Sequence, residues 1–181
     1  MYLKSKDKGY VKIEGKLDVT DPSYEKDIWC RMNDVAIKPG EYRCRYYLGE
    51  ELGEREIKEA KDCAKEFNKD LDEVIKQDTA DIRNRCFAIE LQAKGRAFQL
   101  NSNHWEKIGE IGVDGGMAGF FWNLPELDDE DWGFFYNKMD GKPVCLDKEV
   151  GFWSFSGYGD GWYKVYAIKE NDEIIALKIC F

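Results

Sequence analysis

The sequence predicts an α+β fold that is mainly antiparallel β, as a rolled sheet or a sandwich, with one long amphipathic helix inserted between strands. Three observations predict it: alternating apolar and polar residues before residue 49 and after residue 86, short connections rich in turn residues, and a single helix-like stretch between them. The 181 residues fit one domain, 1–181, with the helical insertion at about 54–85.

The N-terminal third reads as strands and turns. Residues 10–13 form a short strand, and residues 17–24 form a strand that runs into an Asp-Pro-Ser turn. Residues 41–48 then alternate with a period of two, which is typical of a half-buried strand. One face of that strand carries Tyr42, Cys44, Tyr46 and Leu48.

The helical stretch has one apolar stripe. Its apolar residues are spaced by 3, 4, 3, 4 and 3 positions: Ile57, Ala60, Ala64, Phe67, Leu71 and Val74. This spacing predicts a helix over residues 54–77 that packs on the sheet, with a partner-binding or dimerising helix as the alternative. A short second helix is predicted over residues 79–85.

From residue 86 onward the pattern returns to strands. Strands are predicted at 107–113, 152–156, 162–168 and 174–181, and glycines at 109 and 112 indicate a bulge or a close backbone approach in the first of these. The sequence ENDE at 170–173 predicts a turn, so the last two strands form an antiparallel hairpin. The apolar last strand is expected to pair inside the sheet.

Charge and cysteine usage indicate the compartment and the class of partner. Acidic residues outnumber basic ones by 36 to 27, and a net charge of −9 disfavours direct binding to nucleic-acid phosphates. The six cysteines show no C-x-x-C spacing, the segment MYLKSKDKGY has no apolar signal region, and no stretch is long enough to cross a bilayer. We therefore expect a cytoplasmic chain with reduced cysteines and no membrane association.

The residues carry no complete catalytic signature. His104 is the single histidine, no G-x-S-x-G elbow is present, and the glycine-rich segments lack the phosphate-loop pattern. This favours a non-enzymatic function without a cofactor. Acidic turn residues leave one alternative open, a calcium or magnesium site, because hard cations prefer oxygen ligands. The candidate ligands are Asp18, Asp21, Asp114 and Asp160, whose other interpretation is that each caps its own turn.

Three short segments resemble an uncharacterised bacterial β-rich domain family. Its members carry an SG-x-GDG-x-Y-x-VY stretch near the C-terminal end, and residues 156–166 read SGYGDGWYKVY. They also have a V-D-[SA]-G segment and a D-P-[CS]-Y turn, which correspond to VDGG at 113–116 and DPSY at 21–24, with Gly115 as a departure. The helical stretch has no counterpart. The resemblance implies a β-rich fold and no established activity.

The leading functional hypothesis is a non-enzymatic protein that binds a macromolecule. An acidic and aromatic face would block a partner with a basic surface, such as a nuclease, because carboxylates compete with phosphates for arginine and lysine. In size and charge such a protein is similar to anti-CRISPR and immunity proteins. The candidate binding residues lie mostly in an acidic loop: Glu126, Asp128, Asp129, Glu130, Asp131, Trp132 and Asp160. The alternatives are a metal-assisted hydrolase or ligand-binding enzyme that uses the four aspartates, and a structural subunit that forms an oligomer such as a homodimer.

Overall fold

A computed structural model describes residues 2–125 and 133–181. This part of the chain forms eleven strands and three helices. The strands are β1 (Tyr2–Ile13), β2 (Lys16–Thr20), β3 (Met32–Ala36), β4 (Gly40–Glu51), β5 (Cys86–Ala93), β6 (Glu106–Val113), β7 (Met117–Phe121), β8 (Val144–Asp147), β9 (Gly151–Phe155), β10 (Gly161–Glu170) and β11 (Glu173–Cys180). The helices are α1 (Glu54–Glu66), α2 (Leu71–Ile82) and α3 (Gly133–Met139).

The strands form two antiparallel sheets that share one core. A six-stranded sheet has the order β1-β4-β5-β11-β10-β6, and a five-stranded sheet has the order β3-β2-β7-β9-β8. Alternate residues from both sheets meet in a single apolar cluster, including Tyr42, Ile89 and Leu177 from the first sheet and Phe120 and Phe152 from the second. This packing is a sandwich. The predicted β-rich α+β class with antiparallel strands is therefore confirmed.

The predicted single long helix is wrong, because two helices occupy that stretch. Helix α1 ends at the C-cap residue Phe67, and Asn68 takes a positive φ of 50°, which stops an α-helix. Asp70 then accepts a hydrogen bond from the backbone N–H of Glu73 and begins α2. The apolar stripe continues across the break, since Ala60 and Ala64 of α1 pack against Val74 of α2.

Strand β11 lies in the middle of the six-stranded sheet. It pairs with β5 on one side and with β10 on the other, as the apolar sequence of this strand predicts. The β10–β11 connection contains Asn171 and Asp172 with φ of 51° and 64°, the conformation that a two-residue hairpin turn needs. The predicted C-terminal hairpin is confirmed.

The outer face of the six-stranded sheet carries a row of alternating charges. Cross-strand pairs place Asp7 beside Arg45, Arg45 beside Glu90, and Glu90 beside Lys178. Glu90 is fully buried and accepts a hydrogen bond from the Tyr47 hydroxyl at 2.7 Å. A connection from residue 94 to 105 covers part of this row, and it is held there by the Lys178 ammonium, which donates to the Leu100 carbonyl at 2.6 Å.

Helix α3 covers part of the outer face of the five-stranded sheet. Helix α3 packs Phe135 and Met139 against Phe121 and Trp153 on the outer face of the five-stranded sheet. All six cysteines are free thiols, and the buried ones are Cys30, Cys44 and Cys86. Within the described residues, no helix has the length and apolar character needed to span a membrane.

Candidate functional site

The buried carboxylate of Asp21 joins two turns that are distant in sequence. Its Oδ1 accepts hydrogen bonds from the backbone N–H and the hydroxyl of Ser23, at 2.9 and 2.7 Å. Its Oδ2 accepts from the backbone N–H groups of Asp114 and Gly115, also at 2.9 and 2.7 Å. Asp21 has no exposed surface, so these four bonds compensate the loss of hydration that burial of a carboxylate entails. The turn at 21–24 is thereby fixed to the β6–β7 turn.

The glycine-rich segment at 156–161 joins the same cluster. The backbone N–H of Ser156 donates to the Gly116 carbonyl at 2.9 Å, and the Ser156 hydroxyl donates to the Gly159 carbonyl at 2.5 Å. Gly161 then pairs with Val113 at the beginning of β10. The three segments DPSY, VDGG and SGYGDG, which the sequence singles out separately, therefore lie together at one end of the sandwich.

The loop after the DPSY turn is anchored at both ends. The guanidinium of Arg31 is buried and donates to the Tyr24 carbonyl at 2.8 Å and to Asp18 Oδ2 at 2.7 Å. The Cys30 carbonyl accepts from the backbone N–H of Gly112 on the edge strand β6, at 2.8 Å. These bonds involve residues on both sides of the loop tip at 25–29, so they fix the backbone where the tip begins and ends.

Two tryptophans form an exposed aromatic platform at this end of the molecule. Trp29 on the loop is 82% exposed, and Trp162 on β10 is 55% exposed. Their ring centroids are 5.1 Å apart and their planes are tilted by 37°. Trp162 pairs with Gly112, the same residue to which Cys30 is bonded, so the strand pairing brings the two rings together. We call Trp29 and Trp162 the Trp platform.

Four exposed carboxylates accompany the Trp platform. Glu25 and Asp27 lie on the loop that carries Trp29, while Asp114 and Asp160 directly flank the Val113–Gly161 pair. Within residues 2–125 and 133–181, none of the four lies within 4.0 Å of a lysine or arginine nitrogen. The four carboxylates outnumber Lys26, the one basic residue of the loop tip at 25–29, and no ion pair within the described residues engages them.

The Tyr24 hydroxyl forms a hydrogen bond with Asp114, one of these four carboxylates. Burial is the main cause that raises the pKa of Tyr24, and hydrogen bonds to Asp114 and Cys30 raise it further. The phenol consequently stays neutral at physiological pH and can donate a hydrogen bond to the Asp114 carboxylate.

Within the described residues, the four aspartates predicted as metal ligands do not converge on one site. Asp18 pairs with Arg31 and accepts from the backbone N–H of Asp34. Asp21 accepts the four hydrogen bonds that join the turn at 21–24 to the β6–β7 turn, and we call this arrangement the Asp21 brace. Asp114 and Asp160 lie close to each other at the end of the β6–β10 pair. In the described part of the chain, no group of three or more His, Cys, Asp or Glu side chains is positioned to hold a metal ion.

The predicted acidic binding loop lies outside the described residues. This applies to Glu126, Asp128, Asp129, Glu130, Asp131 and Trp132. Asp160, the remaining predicted binding residue, is exposed beside the Trp platform. Trp29 was not predicted from the sequence. The signal for it is the pair Ile28-Trp29 within a charged loop, where burial in a strand or helix core is not expected.

His104 lies in a loop on its own. The Ser102 hydroxyl is 3.0 Å from its Nδ1, a local contact between residues two positions apart, and the imidazole is exposed. A short contact of this kind is typical of a polar turn.

Comparisons with known proteins identify no relative. No family model, no curated protein and no solved structure matches the chain. The resemblance of the DPSY, VDGG and SGYGDG segments to a bacterial family therefore stays an expectation, and the functional argument rests on the geometry of the Trp platform.

Proposed function

We propose that this chain is a non-catalytic binding protein and that a macromolecular partner docks on the Trp platform. The observation that carries the proposal is the exposure of Trp29 and Trp162, which contact each other on a surface whose backbone is fixed. Exposed tryptophans leave a large apolar area in water, and at protein interfaces tryptophan is among the residues that contribute most to affinity.

The anchoring of the loop supports the same proposal. Arg31, Asp21 and the Cys30–Gly112 bond already hold the backbone that presents Trp29. A surface that is ordered before binding loses little conformational entropy when the partner arrives. The platform therefore has the properties of a preformed interface.

The charge near the platform supports a basic partner. Four carboxylates that form no ion pair within the described residues accompany the two rings, and the chain as a whole carries a net charge of −9. Opposite charge steers association and raises its rate. We further propose that the partner is a nucleic-acid-handling protein such as a nuclease, which the chain inhibits because its carboxylates compete with phosphates for the same arginines and lysines. The acidic residues of the sequence at 126–131 would add to this effect.

In this proposal the chain acts in the cytoplasm, as anti-CRISPR and immunity proteins do. Its six free thiols are compatible with a reducing compartment. No specific contact in the described residues favours the metal-assisted hydrolase or the structural oligomer over a binding protein.

The proposal is tested by measuring binding to basic nucleases at increasing salt concentration. We expect affinity to fall steeply with salt, and we expect inhibition of cleavage in proportion to binding. Replacing both platform residues, Trp29→Ala with Trp162→Ala, is expected to weaken binding roughly 30-fold or more, since the loss of even one interface hot spot of about 2 kcal/mol corresponds to that factor.

The matched control is Phe67→Ala, which removes another exposed aromatic ring, at the end of α1. The control is expected to bind like the unmodified chain. Affinity that does not change with salt, or an equal loss in the control and in the platform variant, would contradict the proposal.

A further inference from the structure

We infer that the group recognised by the Trp platform is the guanidinium of an arginine side chain on an exposed basic segment of the partner. The inference rests on the proposed function and deepens it, because it names the chemistry of the contact. It draws on the faces of the two rings, on the carboxylates beside them, and on a comparison with a cation that the protein holds internally.

The indole faces suit a planar cation. An aromatic face attracts positive charge, and tryptophan does so more strongly than tyrosine or phenylalanine. Trp29 is 82% exposed, so its outward face is open to a ligand. A guanidinium is planar and weakly hydrated, and it stacks on an indole with less loss of hydration than an ammonium.

The carboxylates supply the second half of the contact. Asp114 and Asp160 flank the Val113–Gly161 pair, so Asp114 is two positions from Gly112 and Asp160 is two positions from Trp162. A guanidinium that stacks on the platform presents its N–H groups at its edge, where carboxylate oxygens can accept them. In the strand register, the backbones of these two residues lie next to the end of β10 that carries Trp162.

An internal example shows how this protein holds a cation when one is present. The ammonium of Lys178 lies 4.6 Å from the centre of the Trp105 ring and 4.8 Å from that of Tyr166, and it donates to the Leu100 carbonyl. At the Trp platform, by contrast, no lysine or arginine of residues 2–125 and 133–181 lies over either ring. The aromatic and acidic elements of a cation site are present there without an internal cation.

A neutral sugar polymer is the main competing occupant, because sugar rings also stack on exposed tryptophans. The carboxylates, which form no ion pair within the described residues, favour the arginine. A sugar needs no counter-charge, whereas a guanidinium neutralises the negative surface that Glu25, Asp27, Asp114 and Asp160 create.

The test compares three probes on the full chain. Two are peptides of equal length on a glycine-serine scaffold, one with arginines and one with lysines at the same positions, and the third is a neutral glucan oligosaccharide. Binding is followed through the indole N–H signals in nuclear magnetic resonance, with Trp29 and Trp162 assigned from their alanine variants. We expect the arginine peptide to bind at least about tenfold more tightly than the lysine peptide and to shift these two signals first.

Two variants locate the contact. Trp29→Ala and Asp160→Asn are each expected to weaken the arginine peptide about tenfold, while Asp62→Asn on the exposed face of α1 is expected to have no effect. Both Trp29 and Asp160 are exposed, so circular dichroism is expected to show an unchanged fold in every variant.

The outcomes separate the inference from the proposed function. Equal affinity for the arginine and lysine peptides would overturn the assignment of a guanidinium and would leave the proposal of a basic partner unaffected. If neither Trp29→Ala nor Asp160→Asn weakens binding of the arginine peptide, the proposed location of the contact is overturned. Saturable binding of the oligosaccharide without binding of either peptide would overturn both the inference and the proposed function. Binding of no probe, together with salt-dependent binding to basic nucleases, would overturn only the inference.

Discussion

The Asp21 carboxylate accepts a hydrogen bond from the backbone N–H of Asp114, a residue 93 positions further along the chain, at 2.9 Å. This contact connects the loop that carries Trp29 with the β6–β7 turn beside Trp162. One buried side chain thereby couples the fold to the geometry of the exposed platform.

Replacing Asp21 with alanine is expected to destabilise the protein by about 3 kcal/mol, because four partly buried donors lose their acceptor at once. Urea denaturation gives the free energy of unfolding. Asp62→Ala on the exposed face of α1 is the control, and we expect it to change stability by less than about 0.5 kcal/mol. An equally mild effect of Asp21→Ala would show that the brace contributes little.

Gly119 is expected to tolerate no side chain. A Cβ atom there would lie 2.5 Å from the Cβ of Trp153 and 2.6 Å from the Phe152 carbonyl oxygen, and neither strand can move freely. Gly119→Ala should therefore cost about 2–3 kcal/mol of unfolding free energy. In Gly133→Ala the new Cβ would meet, among the described residues, the end of the Asn137 side chain at 3.5 Å, so thermal unfolding should show little change or a small gain.

Removal of residues 172–181 is expected to unfold the domain. The deletion takes away β11, and with it the pairing partner of both β5 and β10 in the centre of the six-stranded sheet. Circular dichroism and a thermal melt check this result. A soluble truncated chain with a cooperative transition would contradict the central role of the strand.

Glu90 is expected to make stability depend on pH. Burial raises the pKa of its carboxyl above the usual 4.5, although Tyr47, Arg45, Gln92 and Lys178 favour the ionised form. A carboxyl with a raised pKa in the folded state stabilises the fold fully below its unfolded pKa, and this contribution is lost as pH rises through the folded pKa.

We therefore expect the unmodified chain to lose stability relative to Glu90→Gln as pH rises from about 4 to about 8. Urea denaturation at several pH values measures the difference. The exposed Glu66→Gln variant should show no such trend, and a pH-independent difference for Glu90→Gln would disprove the expectation.

The cysteines are expected to differ in reactivity. Burial raises the pKa of Cys44 to about 12 and that of Cys86 to about 11, and both thiols are fully buried. At about pH 8 a thiol reagent should modify the partly exposed Cys63 in the native protein and reach Cys44 and Cys86 only after unfolding. Peptide mapping by mass spectrometry identifies the modified positions, and early labelling of Cys44 would be inconsistent with a closed core.

The strands could be predicted from sequence because their period-two patterns reflect burial on one face. Tyr42, Cys44 and Leu48 all face the core as the alternation indicates. The break between α1 and α2 was missed because the apolar stripe continues through it in the helical hairpin. Asn68 in a left-handed conformation and Asp70 as an N-cap mark the break, and neither disturbs the spacing of apolar residues.

The site was predictable only in parts. The sequence singled out the DPSY, VDGG and SGYGDG segments and Asp160, but it could not show that the Asp21 carboxylate joins the first two segments, since this contact spans 93 positions of the chain. The role of Asp21 as a brace is also hidden from sequence, because the same residue type fits a solvated turn or a metal ligand. Trp29 belongs to no repeating pattern. Its contact with Trp162 arises only in three dimensions, because the neighbouring Cys30 is bonded to Gly112 and Gly112 pairs with Trp162.

The central position of β11 limits how the sandwich can move. Within this sheet, strands β1, β4 and β5 are joined to β10 and β6 only through β11, so the sheet cannot separate into halves without breaking one of the two ladders of its central strand. We therefore expect fluctuations that open backbone hydrogen bonds to occur mainly at the edge strands β1 and β6, and amide exchange to be slowest in β11 and its two neighbours. At the β6 edge, the hydrogen bond from the Gly112 N–H to the Cys30 carbonyl opposes such opening where this strand supports the Trp29 loop.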